Sequence, residues 1–318
     1  MARGLRRAGI EDVIERPMAD GGEGTLDVIV AARRGSRRMA TVTGPLGDPV
    51  VAEWAILGDG TAIVEMARAS GQALVDPERR DPLEASTRGT GELIATAIRA
   101  GARHVIVGVG GSATTDGGLA AVQALDWSLG GVPVTVACDV TTDFLDAATI
   151  FGPQKGASAA QVGLLTRRLD QLANVYRDRT GLDVTTVEGA GAAGGLAGGL
   201  AAIGARVEPG FEVVAEVVGL TGVLERADLV VTGEGKLDAT SFAGKVVGGV
   251  LELAGDLGDA RRGVIAGQVT EEAREEASIL GDVRVLALTD RVWQAGEAFA
   301  RAALLVEEAA VELARAWD

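Results

Sequence analysis

The chain has very little histidine, cysteine or lysine: one histidine, one cysteine and three lysines among 318 residues. A single cysteine cannot form an intramolecular disulfide, and it suits a reducing cytoplasm, which is the location we expect. Zinc sites of His and Cys, Ser-His-Asp triads and Cys-His pairs need more such residues, or need His104 and Cys138 together. The chemistry of this chain must therefore depend on carboxylates, lysines, hydroxyls and backbone amides.

Long hydrophobic runs and an excess of positive charge are absent as well. No stretch approaches the roughly 18 apolar residues that a membrane-spanning helix needs. The first ten residues lack the apolar centre of a signal peptide. The net charge of −15 argues against nucleic acid as a partner. We therefore expect small-molecule partners, with no nucleic acid and no membrane.

The three lysines all lie among glycines. Lys155 is in GPQKGA, Lys236 in GEGKLD and Lys245 in AGKVVGG, while arginine supplies the rest of the basic charge. Lysine places a compact charge on a flexible stem, which the planar guanidinium of arginine does not reproduce. This placement indicates contacts with phosphate or carboxylate groups. The alternative is that three remaining lysines fell there by chance.

Short apolar runs alternate with helical patterns along the chain, which predicts an α/β fold with mostly parallel strands. Val13–Arg16 is the first predicted strand. The GPLGDP segment (residues 44–49) and the two runs around Gly58 and Gly60 predict an antiparallel hairpin. We therefore expect one discontinuous domain of residues 1–40 and 226–318, and an inserted α/β domain of residues 41–225.

The most informative stretch is residues 104–118, HVIVGVGGSATTDGG. An apolar strand ends in a loop that holds Gly110, Gly111, Ser112, Thr114 and Asp116, and a helix follows. Glycines at a strand end let backbone N–H groups approach a ligand, and a helix N-terminus favours an anion. A phosphate or a small polyhydroxy acid would fit such a loop. The alternative is a tight turn between sheet and helix.

Carboxylates recur in glycine-rich loops along the chain. Beside lysines, they suit Mg²⁺ with phosphate, because hard oxygen ligands hold the ion and cations offset the phosphate charge. For each carboxylate the alternative is a helix cap or an Asx turn, most of all for Asp20 and Asp116. The candidates are Asp20, Glu23, Asp116, Asp139, Glu234 and Asp238.

Gly189, Gly191 and Gly194 match the spacing of the dinucleotide fingerprint, which requires a strand before it and a helix after it. The preceding residues 182–188 are interrupted by polar side chains and make a poor buried strand. A dinucleotide-dependent oxidoreductase therefore stays open as an alternative function.

Six motifs in this order resemble the bacterial type 1 glycerate kinases: PMADGGEGT, GVGGSATTDGG, ACDV, FGPQKGA, GAGAAGGL and DLVVTGEGKLD. The resemblance implies ATP-dependent phosphorylation of D-glycerate with Mg²⁺ as cofactor, and 2-phosphoglycerate is the favoured product. It also implies a two-domain α/β enzyme whose ligand cleft lies between a Rossmann-like domain and the inserted domain. The expected partners are ATP and glycerate, and a homodimer is left open.

On this interpretation each motif receives an expected role. Asp116 is the candidate base for the substrate hydroxyl, since it shares a loop with Ser112 and Thr114, and Lys155 and Lys245 are the candidate catalytic cations. Glu234 and Asp238 are the Mg²⁺ candidates. The expected substrate- and nucleotide-binding residues are Asp20, Gly21, Gly22, Glu23, Gly110, Gly111, Ser112, Thr114, Gly191 and Gly194.

One family motif has no counterpart here. Glycerate kinases of this type usually begin with a strand ending in A-P-D-x-F-K-G, and residues 2–8 read instead as the second half of a helix. We therefore expect upstream codons that encode a strand and that loop. The alternative is a truncated, non-catalytic relative that only binds ligand.

Overall fold

The computed structural model describes residues 1–242 and 244–316. These residues form two compact units, which we call the terminal unit (Met1–Pro17 with Ala215–Asp318) and the central unit (Met18–Val214). Both units combine parallel strands with helices, so the expected α/β class is confirmed.

The strands and helices follow the alternation expected from the sequence. The strands are β1 (Ser36–Thr43), β2 (Pro49–Ile56), β3 (Thr61–Glu65), β4 (His104–Gly108), β5 (Val134–Cys138), β6 (Arg206–Pro209), β7 (Leu229–Thr232), β8 (Lys236–Leu237), β9 (Arg261–Ala266), β10 (Gln268–Val269) and β11 (Val283–Ala287). The α-helices are α1 (Ala2–Arg7), α2 (Thr25–Arg33), α3 (Ala67–Ser70), α4 (Arg88–Arg99), α5 (Leu119–Ala124), α6 (Ala147–Phe151), α7 (Ala159–Thr180), α8 (Ala192–Ala202), α9 (Gly210–Val218), α10 (Thr221–Leu224), α11 (Val246–Leu257), α12 (Glu271–Ile279), α13 (Ala295–Ala300) and α14 (Ala302–Arg315).

The central unit is built on a six-stranded sheet in the order β1-β2-β3-β4-β5-β6. The first three strands are antiparallel, as the hairpin prediction required, and β3 to β6 are parallel. Strands β4 (HVIVG) and β5 (VTVAC) are mostly apolar because a parallel sheet covered by helices is buried on both faces. Their carboxyl ends meet at one edge of the sheet, where the glycine-rich loops begin.

Two apolar clusters pack the helices of the central unit, the first against this sheet and the second against one another. One joins Trp54 on β2 with Leu93 on α4 and Leu196 on α8. The other joins Phe144 with Leu169 and Tyr176 on α7. Burying a side chain of this size contributes about 1.5–3 kcal/mol. Both clusters therefore fix the helices whose ends surround the loops at the carboxyl edge.

The boundary of the central unit lies at residue 18, whereas the sequence pattern placed a change near residue 41. Residues 18–40 belong to the central unit because their partners do. The amide of Leu26 donates to Oε1 of the buried Glu65 over 2.8 Å, and β1 is paired with β2 from Ser36 onward. At the other boundary, helix α9 continues from the central unit into the terminal unit, so residues 215–225 belong to the latter.

The terminal unit contains a three-stranded parallel sheet in the order β11-β9-β7 and the short parallel pair β10-β8. The predicted strand Val13–Arg16 is wrong, since these residues form neither strand nor helix. Val13 packs beside Leu5 and Leu305 in an apolar cluster, while the neighbouring Ile14 is exposed. Val13 therefore serves packing rather than strand pairing. None of the helices in the described part of the chain combines the length and apolar character needed to cross a membrane.

Candidate functional site

A cavity of about 300 Å³ lies at the carboxyl edge of β4 and β5 in the central unit. In open parallel sheets this edge is where ligands bind, and pockets of this size commonly hold small molecules. Its lining comes from five separate segments of the chain: Gln72, Val109, Gly110, Gly111, Ser112, Asp139, Val140, Phe151, Gln154, Ala192 and Ala193.

The segment after β4, which we call the serine loop (residues 109–116), forms one wall of this cavity. The amide of Ala113 donates to the carbonyl of Ser70 over 3.0 Å, and the amide of Gln72 donates to the carbonyl of Gly111 over 2.9 Å. These bonds hold the loop in one conformation, so its backbone and the Ser112 hydroxyl are positioned before a ligand arrives. Of the residues predicted to bind substrate, Gly110, Gly111 and Ser112 line the cavity.

Of the predicted substrate residues Asp20, Gly21, Gly22 and Glu23, the last two lie against the serine loop, while Gly21 approaches the ends of β4 and β5. A Cβ at Gly110 would come within 2.6 Å of the Gly22 Cα, so glycine is required for this close approach. Oδ1 of Asp20 accepts from the Gly22 amide over 3.2 Å, which is an Asx turn. The DGGEG segment (residues 20–24) thus supports the serine loop, and none of its residues is among the described residues that line the cavity. Its binding role stays a prediction.

Asp116 accepts hydrogen bonds from residues at the start of two helices, α4 and α5. Its Oδ2 accepts from the amide and the hydroxyl of Thr87, both over 2.8 Å, and its Oδ1 accepts from the Gly118 amide over 3.1 Å. The Thr87 hydroxyl in turn accepts from the Ala121 amide over 3.1 Å. Burial raises the pKa of Asp116, while the hydrogen bonds from Thr87 and Gly118 act in the opposite direction.

This arrangement matches the capping alternative weighed above for Asp116. Both carboxylate oxygens are engaged, and Asp116 is not among the described residues that line the cavity. The expected role of Asp116 as the base is untested by this geometry, and the rate of Asp116→Asn decides between capping and catalysis.

Lys155 is buried, with its side chain directed at the serine loop. The Nζ atom donates to the carbonyl of Thr114 over 2.6 Å. Burial lowers the pKa of Lys155 to about 7, and the nearby Asp116 carboxylate opposes that shift. The neighbouring Gln154 lines the cavity, whereas Lys155 is not among the described lining residues. The amino group therefore holds the loop, and its predicted contact with phosphate stays a prediction.

The glycine motif of residues 189–195 also supports the serine loop. Ala193, Gly194 and Gly195 adopt a left-handed conformation at the start of α8. The Gly117 amide donates to the Gly194 carbonyl over 3.0 Å, and a Cβ at Gly194 would collide with the Thr114 carbonyl. Gly191 lies equally close to the Asp143 carbonyl. Both glycines are required by backbone packing, and a binding role for them stays a prediction.

The dinucleotide fingerprint lacks its structural context. Residues 184–186 form a 3₁₀ turn where a strand is required. The alternative of a dinucleotide-dependent oxidoreductase therefore loses the observation on which it depended.

The remaining predicted residues lie in the terminal unit. Asp238 forms an exposed ion pair with Lys236, with 3.0 Å between Oδ2 and Nζ. Hydrogen bonds from Thr240 and this lysine lower the pKa of Asp238 to about 2. Oε1 of Glu234 is buried without a hydrogen-bond partner. Lys245 is the residue that precedes helix α11.

A metal site is not preformed around these carboxylates. Within residues 1–242 and 244–316, no three His, Cys, Asp or Glu side chains are grouped to hold a metal ion. The Oε1 atom of Glu234, which has no hydrogen-bond partner, is an oxygen ligand of the type that Mg²⁺ prefers. The Mg²⁺ assignment to Glu234 and Asp238 stays a prediction.

Sequence reasoning gave no role to several residues that line the cavity. Asp139 was one of six candidate carboxylates, and Gln154 adjoins the GPQKGA lysine, but neither was assigned to binding. Nothing in the sequence around Gln72 resembles a binding motif, so sequence reasoning could not have identified this residue. Its side chain reaches the Gln154 carbonyl at 3.5 Å across 82 residues of sequence.

Comparison with known proteins agrees with this architecture. A sequence model of the glycerate kinase family matches residues 1–131 and 125–318. The chain is 44% identical over 273 residues to glycerate 2-kinase of Escherichia coli K12, covering 75% of this chain and 72% of that protein. It is 40% identical over 278 residues to glycerate kinase of Bacillus subtilis 168, covering 76% and 73%.

A solved structure is similar over almost the whole chain. A Salmonella typhimurium LT2 protein that has been assigned as glycerate kinase 2 superimposes with a TM-score of 0.83 at 35% identity. The match covers 99% of this chain and 92% of that one. The protein described here therefore belongs to the glycerate kinase family.

Proposed function

We propose that this protein transfers the γ-phosphoryl group of ATP to D-glycerate in the presence of Mg²⁺, with 2-phosphoglycerate as the product. Membership of the family makes the chain a kinase, a transferase that acts on an alcohol group. The nucleotide, the metal and the acceptor are the proposed parts. The observation that carries the acceptor is the cavity at the carboxyl edge of the parallel sheet.

The lining of the cavity suits a small hydroxy acid. Ser112 supplies a hydroxyl, and Gln72 and Gln154 supply amides that both donate and accept hydrogen bonds. Val109 and Val140 add apolar surface. A volume of about 300 Å³ is at the small end for ligand pockets, which favours a three-carbon acid over a whole nucleotide. We therefore assign the acceptor to this cavity.

Phosphoryl transfer asks the protein mainly for positioning and for neutralisation of charge. The serine loop meets the first demand because Ser70, Gln72 and Lys155 hold its backbone. We propose that Lys155 acts through this loop. Lys245 at the start of α11 is the proposed cation for the nucleotide phosphates.

Glu234 and Asp238 are the residues we propose to hold Mg²⁺, since they supply the oxygen ligands that this ion prefers. When bound, Mg²⁺ neutralises charge on the phosphates. The cytoplasmic location and the homodimer that was left open stay predictions.

The test is a coupled ADP-release assay of the full chain with D-glycerate, L-glycerate, glycolate and D-lactate. We expect turnover of about 1–100 per second with D-glycerate, and ³¹P NMR of the product distinguishes the 2- from the 3-phosphate. Folded protein that releases no ADP with any of these acids would overturn the proposal. Tight NADH binding without ATP binding would return the oxidoreductase alternative.

A further inference from the structure

Asp139 directly follows β5 at the edge of the sheet where the cavity lies. Strands β4 and β5 are parallel neighbours in which Gly108 is paired with Ala137. Gly110 and Asp139 each lie two residues beyond that pair, and adjacent strands are about 4.8 Å apart. The carboxylate of Asp139 therefore starts from a backbone position beside the wall that the serine loop provides.

Asp139 is the one charged side chain among the described residues that line the cavity. The remaining polar groups there are the Ser112 hydroxyl, the amides of Gln72 and Gln154, and backbone atoms. Asp116, the base expected from the sequence, is not among the described residues that line this cavity. An acceptor molecule in the cavity would meet Asp139 and not Asp116.

The backbone around Asp139 is restrained on both sides. Cys138, the residue before Asp139, is the last residue of β5. The Sγ atom of Cys138 donates to the carbonyl of Val140, the residue after Asp139, over 3.0 Å. The half-buried carboxylate lines the cavity together with apolar side chains, including Val109 and Phe151. A restrained and partly buried carboxylate forms stronger hydrogen bonds to a substrate than one in open water.

We propose that Asp139 is the catalytic residue that accepts the proton of the acceptor hydroxyl, an inference that depends on the proposed function. The hydroxyl O–H bond breaks as its oxygen forms a bond to the γ-phosphorus of ATP. The bond from that phosphorus to the β–γ bridging oxygen breaks, and ADP leaves with the electron pair. The proton resides on the Asp139 carboxylate and then passes to water.

The experiment compares Asp139→Asn with Asp143→Asn and with the wild-type full chain. Asp143 is an exposed aspartate four residues further on, and its side chain forms no capping hydrogen bond. We expect Asp139→Asn to lower kcat by about a thousandfold, within the range known for general bases. The KM for D-glycerate and the melting temperature should stay unchanged within error, and Asp143→Asn should behave as wild type.

The pH profile provides the readout that a structural role would not affect. The acidic limb of kcat/KM for the wild type reports the base, and it should disappear from the residual activity of Asp139→Asn. A fall of kcat below fivefold, or an unchanged acidic limb, would overturn the proposal. So would recovery of the rate at high Mg²⁺ concentration, which would make Asp139 a metal ligand.

If Asp139→Asn does not fold, Asp139→Glu decides the question. It moves the carboxylate by one methylene, so we expect a fall in kcat of at least tenfold in folded protein, and an unchanged rate would contradict the assignment. Wild-type protein inactive with every hydroxy acid would instead refute the proposed function. The two failures are therefore distinguishable.

Discussion

Two glycine-rich loops of this chain look alike in sequence and differ in the structure. The serine loop is fixed by hydrogen bonds with three other segments, at residues 70–72, Thr87 and Ala193, and by the buried Lys155. The GEGKLD loop (residues 233–238) instead carries an ion pair in which the side chains of Lys236 and Asp238 are 60% and 31% exposed. A charge among glycines therefore does not predict by itself whether a loop is rigid, because rigidity comes from the residues packed behind it.

The largest difference between the two loops should appear when their lysines are replaced. Lys155→Met leaves the Thr114 carbonyl without its buried donor and releases the serine loop, so we expect kcat/KM to fall by about two orders of magnitude. The unsatisfied carbonyl should also lower the free energy of unfolding by about 1–3 kcal/mol. Lys236→Met is the matched control and should change neither quantity, because exposed ion pairs contribute little. We would measure kcat/KM by steady-state kinetics and the free energy of unfolding in urea. Equal values for Lys155→Met and Lys236→Met would contradict the difference in rigidity between the two loops.

A pair of glycine substitutions sharpens the comparison at the level of the backbone. Gly194 has a φ of +67°, and a Cβ there would collide with the Thr114 carbonyl, whereas nothing lies within 4 Å of a Cβ at Gly235. We expect Gly194→Ala to cost about 2–4 kcal/mol of unfolding free energy through strain and overpacking. Gly235→Ala should stay within about 0.5 kcal/mol of the wild type. Similar melting temperatures for the two variants would contradict the packing described for α8.

Asp116→Asn tests whether this residue caps helices or takes part in the reaction. An asparagine keeps one acceptor oxygen but presents an NH₂ group to existing donors, so we expect a loss of about 1–2 kcal/mol in unfolding free energy. The rate of phosphoryl transfer should stay within a few fold. Melting curves measured beside kcat separate the roles. A thousandfold loss of rate at unchanged stability would return the base to Asp116.

A pH dependence of the free energy of unfolding should also come from Lys155. Its pKa is about 7 when folded and 10.5 ordinarily, so between these values the unfolded chain binds a proton that the folded chain does not. The free energy of unfolding must then rise with pH, by at most about 1.4 kcal/mol per pH unit. Below pH 7 both states are protonated and the contribution is constant. Urea unfolding at pH 7 and pH 9 should show this rise in the wild type relative to Lys155→Met, and parallel curves would refute it.

The sequence by itself determined the α/β class, the hairpin of β1 and β2, and the position of the serine loop after β4. These features are local. An unbroken apolar run predicts a buried parallel strand, and glycines that follow it directly must lie at the carboxyl edge of the sheet. Gly110, Gly111 and Ser112 reach the cavity for that reason, because the run that they form begins one residue after the end of β4.

The tertiary structure alone decided what the charged residues contact. Thr87 reaches Asp116 across 29 residues, and Lys155 reaches Thr114 across 41. The tertiary structure also placed Gln72 and Asp139 in the lining of one cavity, and it joined residues 18–40 to the central unit. A carboxylate or amino group forms a hydrogen bond with whichever group the packing of distant helices brings near it. Those distances cannot be read from a single sequence. The pattern of residues could therefore identify the loops, while the partner of each side chain came only from the fold.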